Sequence, residues 1–249
     1  MAKFHRLKLL SKQIQNKLKV QYRLLSKPTL VEMEGIKLKI NDYFSQSIKD
    51  NIYRGYYEIY ELSIIKSQLS PQDIVLEIGA GIGFISTYCA KRIGSEKVFS
   101  YEANPELEKH IRNTYQLNNV FPTLELCLVG NQTGEQTFYI ENNFWSSSIT
   151  PWNQNAKPVT VSAKSFNEEV RRHNPTFVII DIEGGEYELF KKADFYNVKK
   201  IMLELHTKLI GVEKAQFVKY RLQEAGFQIN QKYSRENNGM EELFLERSN

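Results

Sequence analysis

The sequence predicts an α/β fold: a doubly wound, mostly parallel sheet with an N-terminal helical extension. Three observations predict it. From Asp73 onward, short apolar runs alternate with segments of helical period. The first apolar run, Val75–Ile78, passes directly into a glycine turn, Gly79-Ala80-Gly81-Ile82-Gly83, that opens a helix. Residues 1–27 hold Lys3, Arg6, Lys8, Lys12, Lys17, Lys19, Arg23 and Lys27 and no acid. The 249-residue chain has a net charge of +4, so with +8 in this segment the body carries −4.

In the basic segment Leu7, Leu10, Ile14, Leu18, Tyr22 and Leu25 recur at helical spacing, and Pro28 ends the pattern. An amphipathic helix over 1–27 is expected, followed by one domain over 28–249. The helix is read as packing on the body or on a second copy of the chain, which would make a homodimer. The alternative is contact with a membrane surface or an acidic partner. Lysines interrupt any apolar stretch of secretory-signal length, and the excess of Lys over Arg weakens a transit-peptide reading. A cytoplasmic location is the expectation.

Residues 29–40 predict two short strands about Gly35, and 52–69 a helix stopped by Ser70-Pro71. The alternation follows: strand 73–78, helix 82–93, strand 97–101, helix 105–117 with Pro105 at its start, and strand 124–129. Strands at 135–140 and 159–162 flank a polar loop. A short helix at 165–171, a strand at 177–181, a helix at 185–192, a strand at 200–205 and a helix at 213–225 complete the series. A closing antiparallel pair, 227–233 with 243–246, turns at Asn237-Asn238-Gly239.

Composition excludes several function classes. Hydrophobic residues make up 41% and charged residues 25%, the ordinary globular range. No apolar run is long enough to span a membrane. Cys89 and Cys127 sit in no metal-binding spacing, so a disulfide scaffold or zinc site is not expected. The slightly acidic body argues against a nucleic-acid-binding face.

The glycine loop is where an α/β sheet holds a ligand, outside the strand ends. Its spacing is G-x-G-x-G with Glu77 two residues before Gly79. Dinucleotide loops use G-x-G-x-x-G and present a helix N-terminus to a pyrophosphate, which Glu77 would repel. A cationic ligand without phosphate, S-adenosylmethionine, suits this loop better. Glu102, at the end of the next strand, is placed to accept the ribose hydroxyls, with Ala103 and Asn104 against the adenosine. Two rivals stay open: a nicotinamide-dependent oxidoreductase and a non-catalytic binding module.

Four blocks then resemble the FkbM-type branch of the class I methyltransferases: VLEIGAGIGFIS (75–86), YEANPEL (101–107), LCLVGNQTGE (126–135) and VIIDIEGGEYELF (178–190). RGYYE (54–58) and LELH (203–206) are similar to further family features. The resemblance implies a seven-stranded Rossmann-like sheet with one antiparallel strand near its edge. It also implies transfer of a methyl group from S-adenosylmethionine to oxygen, commonly a hydroxyl of a sugar, glycan or secondary metabolite. The cofactor residues it implies are Glu58, Glu77, Gly79, Ala80, Gly81, Gly83, Phe84, Glu102, Ala103, Asn104, Leu128 and Asp181. The fourth block reads Asp181-Ile182-Glu183-Gly184, where nucleobase and glutamine N-methyltransferases resemble an Asn/Asp-Pro-Pro-Tyr pattern.

Methylation of an alcohol needs a proton acceptor. Asp181, Glu183 and His206 lie at adjacent strand ends and are the catalytic candidates, Asp181 or His206 being the base. Asp181 and Glu183 lack a third firm oxygen ligand, so no metal is expected. In the polar loop Trp145, Ser147, Ser148 and Trp152 suit stacking on a ring and bonding its hydroxyls.

Overall fold

The computed structural model describes residues 15–141, 143–151 and 154–247. The chain forms two compact units, Met1–Ile59 and Tyr60–Asn249.

In the first unit a helix over 15–26 (α1) precedes a hairpin of β1 (Leu30–Met33) and β2 (Ile36–Lys39). The two-residue turn Glu34-Gly35 has φ of +50° and +81°, the left-handed pair that matches strand twist. Alternation puts Val31, Met33, Ile36 and Leu38 inward, and all four are buried. Helix α2 (Gln46–Arg54) starts where Ser45 accepts the Ile48 N–H and stops at Gly55, which is left-handed. The helix expected over 52–69 is therefore two. Gly55 ends the first, and α3 (Ile59–Gln68) begins only after Glu58, itself at φ +46°.

The second unit is built on β3 (Val75–Ile78), β4 (Val98–Glu102), β5 (Thr123–Leu126), β9 (Phe177–Ile180), β10 (Lys200–Leu205), β11 (Gln228–Ile229) and β13 (Met240–Glu246). Their order is β11-β13-β10-β9-β3-β4-β5, with the short β12 (Arg235–Asn237) also pairing β13. Strands β5, β4, β3, β9 and β10 are parallel, and β13 runs antiparallel to β10 and β11. This is the predicted doubly wound, mostly parallel sheet with an antiparallel strand next to its edge. Strand β11 is shorter than expected, but the closing hairpin turns at Asn238-Gly239 as predicted.

Helices cover both faces. Leu76, Ile78, Val178, Ile180, Ile201 and Leu203 face α6 (Phe166–His173), α7 (Glu186–Phe190) and α9 (Val212–Glu224) in one core. On the other face α4 (Phe84–Ile93) packs on α5 (Glu108–Asn118) through Gly83, where a Cβ would lie 2.9 Å from Ile111 and 3.0 Å from Tyr115. Gly83 is thus needed for helix packing. A short α8 (Thr207–Ile210), not expected from the sequence, follows His206.

A second, three-stranded sheet was not foreseen. It comprises β6 (Leu128–Gly130), β7 (Gly134–Ile140) and β8 (Lys157–Ser165), with β6 parallel and β7 antiparallel to β8. The strand expected over 124–129 is split: β5 pairs β4 as far as Leu126, and after Cys127 the chain leaves to pair β8.

Candidate functional site

Strand β3 lies where the strand order reverses, with β4 on one side and β9 on the other. Such a switch point opens a crevice at the carboxyl ends of the strands. The glycine loop fills its base. Gly79 has φ +93°, and a Cβ there would lie 1.7 Å from the Asp181 carbonyl oxygen. The backbones of β3 and β9 therefore meet without a side chain between them. The Gly79 and Ala80 N–H groups both donate to Tyr101 O, at 2.9 and 3.1 Å.

Glu102 stands over this loop. One carboxylate oxygen accepts the Gly81 N–H at 2.9 Å, the other the Asn104 N–H at 2.8 Å. These backbone N–H groups fix the carboxylate in place, and a carboxylate has acceptor capacity beyond them. Acceptor capacity of this kind is what the expected ribose contact needs. Asn104 is buried and caps the next turn, its Oδ1 accepting the Glu106 N–H, and its Nδ2 donor has no hydrogen-bond partner among the described residues. Ala103 and Leu128 pack against the small cluster of Phe138, Ile140 and Val161, an apolar wall near Glu102. Glu102→Ala is expected to weaken S-adenosylhomocysteine binding by roughly tenfold or more, since it removes a charge-assisted acceptor; isothermal titration checks this.

Glu77 differs from expectation. Its side chain is buried beneath the loop, where Oε2 accepts the Ser100 hydroxyl at 2.5 Å. Burial pushes it up to about 7, opposed by hydrogen bonds from Ser100 and Ser86. Near neutral pH it is partly uncharged, so it repels a pyrophosphate less than its sequence position suggests. Burial pushes Glu102 up to about 7 as well, against the Asn104 and Gly81 N–H groups. Both groups bind protons more tightly folded than unfolded, so what they add to stability is full below about 4.5 and lost as pH rises through about 7. The ligand-free protein is expected to melt at a lower temperature at pH 8 than at pH 6. Affinity for the cationic S-adenosylmethionine should move the other way, rising by roughly tenfold as the carboxylates ionise. Thermal unfolding and titration across this range check both.

Across the crevice, the ends of β9 and β10 carry a histidine ringed by acids. His206 Nδ1 lies 2.6 Å from Glu186 Oε1; its Nε2 lies 3.1 Å from Glu183, 3.4 Å from Glu204 and 4.0 Å from Asp181. Glu183 reaches inward from a left-handed backbone, φ +46°. Burial alone would lower the His206 pKa, but hydrogen bonds to Glu183, Glu186 and Glu204 outweigh it and hold the imidazole well above its ordinary value. These contacts favour the protonated imidazole. Desolvation raises Asp181 well above the usual carboxylate range, and the charges of Glu204 and Glu183 add to it. Its Oδ1 is enclosed without a hydrogen-bond partner among the described residues, on a side chain that is 32% exposed. Glu183 is raised too, chiefly by desolvation.

Glu186 and Glu204 are the site residues that sequence reasoning left unassigned. Glu204 lies on β10 two residues before His206, which directly follows the strand, and its carboxylate reaches the imidazole. Among the described residues, Asp181, Glu204 and His206 each bring a ligand atom within 4.8 Å of the others, as do Glu125, Glu169 and His173. In the second group Lys164 and Arg172 already pair with the carboxylates.

Other expected residues lie elsewhere or act differently. Glu58 belongs to the first unit and precedes α3 instead of lying on a helix. Phe84 is wholly buried at the start of α4, so it offers a ligand only backbone. The loop serines are spent on the loop itself. Ser147 Oγ accepts the Glu141 N–H at 3.0 Å, and Ser148 Oγ donates to Thr150 O at 2.6 Å. Ser148 also bridges Tyr139 through its backbone. The hydroxyls of both serines thus hydrogen-bond the backbone of their own loop, and the Ser148 backbone pairs that loop with β7. Trp145 is half-buried in a short helical turn, and Trp152 lies outside the described residues.

A family model described as the methyltransferase FkbM domain matches residues 77–229. A Methanocaldococcus jannaschii protein named as a protein N5-glutamine methyltransferase is 33% identical over 108 residues, 43% of this chain and 49% of that one. A Thermococcus onnurineus protein named as a ribosomal RNA small subunit methyltransferase A is 38% identical over 63 residues, 25% of this chain and 22% of that one. The chain thus spans about half the length of the first relative and less of the second. A solved structure, a methyltransferase from Pyrococcus furiosus, aligns over 96% of this chain and all of that one, with TM-score 0.49 and 12% identity.

Proposed function

The chain belongs to the FkbM methyltransferase family, and from that premise we propose that it methylates a hydroxyl of a sugar, glycan or other small molecule. The family's methyl donor is S-adenosylmethionine, which supplies an electrophilic methyl group on a good leaving group. Residues of this chain fit that donor. Gly79 lets the backbones of β3 and β9 meet at the crevice base, and the carboxylate of Glu102, held by backbone N–H groups, is an acceptor for a ribose hydroxyl.

The observation that carries the hydroxyl reading is the Asp181 carboxylate. It is partly exposed at the crevice, and among the described residues its Oδ1 has no hydrogen-bond partner. An alcohol loses its proton as it is methylated, and an ionised carboxylate at the crevice can take that proton. His206 holds its own proton between Glu183, Glu186 and Glu204 and so balances charge. It is a positioning residue in this scheme, and Asp181 is the base. No step of the scheme needs a divalent ion.

The relatives' names point to glutamine and ribosomal RNA as other acceptor classes. The strand end here presents Asp181 and Glu183, which suit removal of a hydroxyl proton. The test is transfer of radiolabelled methyl from S-adenosylmethionine to panels of glycan and small-molecule alcohols, glutamine peptides and ribosomal RNA. Label in alcohols that resists base hydrolysis supports the proposal. Label confined to peptide amides or RNA would replace it.

A further inference from the structure

Helix α1 exposes an apolar stripe. Leu18, Tyr22 and Leu25 are 60%, 66% and 85% exposed. At 100° per residue, positions i, i+4 and i+7 fall on one side of the helix. The opposite side is held to the hairpin unit. Arg23 is buried there, and its guanidinium donates to the backbone oxygens of Glu32 and Tyr53. That anchor decides which face looks out. Lys17 and Lys19 flank Leu18 to either side, and both are exposed. In the sequence before it, Leu7 and Ile14 continue the stripe's spacing among further cations, and residues 1–27 contain no acid.

We propose that α1 lies along the surface of an anionic lipid bilayer. Leu18, Tyr22 and Leu25 enter the boundary between headgroups and acyl chains, and the flanking lysines meet the lipid phosphates. An apolar stripe bordered by lysines is what such a boundary selects. A second copy of the helix fits worse. It would bring two copies of the 1–27 segment together, each with eight positive charges and no acid of its own. A nucleic acid would satisfy the lysines but leave three large apolar side chains facing phosphate.

Flotation of the full chain with phosphatidylcholine vesicles, with and without phosphatidylglycerol, tests this. The chain should float with the anionic vesicles roughly tenfold more than with neutral ones, and less as salt is raised. Leu18→Glu with Leu25→Glu should abolish flotation without changing the melting temperature or S-adenosylhomocysteine binding, since both side chains are exposed. Lys17→Glu with Lys19→Glu should weaken it while leaving the apolar stripe intact. No flotation with anionic vesicles would overturn the proposal. So would flotation insensitive to both double variants, or a dimer in light scattering that the leucine variant breaks while vesicles stay unbound. Retention on RNA that outcompetes the vesicles would overturn it as well.

Discussion

Asp181→Asn is expected to lower turnover by about 10²–10⁴-fold, the usual worth of a general base. S-adenosylhomocysteine affinity should change by no more than about threefold, because asparagine keeps the shape and the backbone carbonyl that faces Gly79. Asp181 ends β9 directly beside the glycine loop, and its backbone N–H donates to Ile78 O at 2.9 Å. Loss of water and the charges of Glu204 and Glu183 make its carboxylate hold a proton more firmly. Asparagine cannot accept that proton. A kcat that survives the substitution, with unaltered pH dependence, would remove Asp181 from the reaction. His206→Asn separates the two candidates further. If His206 only holds charge, the change should alter stability and the pH profile more than the limiting rate at the optimum.

Gly79→Ala should cost more than any surface change, upwards of about 3 kcal/mol of stability, with loss of cofactor binding. Two effects add. The backbone there has φ +93°, which an L side chain rarely adopts, and the new methyl carbon would lie 1.7 Å from the Asp181 carbonyl oxygen. Relief requires β3 and β9 to part at the switch point, which would displace Asp181 and the loop that Glu102 braces through the Gly81 N–H. Thermal unfolding and titration with S-adenosylhomocysteine read both losses. A variant as stable and as tightly binding as the parent would show that the close approach at Gly79 has no bearing on the crevice. Gly35→Ala offers a contrast, with φ +81° but nothing within 4 Å of an added Cβ. It should cost only about 1 kcal/mol, the strain of the turn alone.

The parallel core was legible because strands buried on both faces must be apolar along their length. Phe177–Ile180 reads that way, as does Val75–Ile78 apart from Glu77, and both strands are fully buried. Glu102 was legible for a related reason: an acid at the end of an apolar strand has to be paired or used. The small sheet was not. The run from Leu124 to Val129 is continuous in character, and nothing local shows that its two halves pair with different sheets. The break at Gly55 was written in the residue itself, but strong apolar content on either side masked it. Within the site, the clasp of Glu186 on His206 joins a helix to a strand end 20 residues away. Glu186 on its own reads as a solvated helix charge, yet it is fully enclosed. Glu77 shows the opposite failure. Its place beside the loop suggested a charge facing the ligand, and the fold turned it inward onto Ser100.

The central claim is that the crevice between β3, β4 and β9 holds an adenosyl methyl donor through Glu102. Calorimetric titration of the purified chain with S-adenosylhomocysteine and, separately, with NADH tests it most directly. The account predicts saturable one-to-one binding of S-adenosylhomocysteine, roughly micromolar in Kd, lost or greatly weakened in Glu102→Ala, and no saturable heat with NADH. Tight binding of NADH with none of S-adenosylhomocysteine would contradict it.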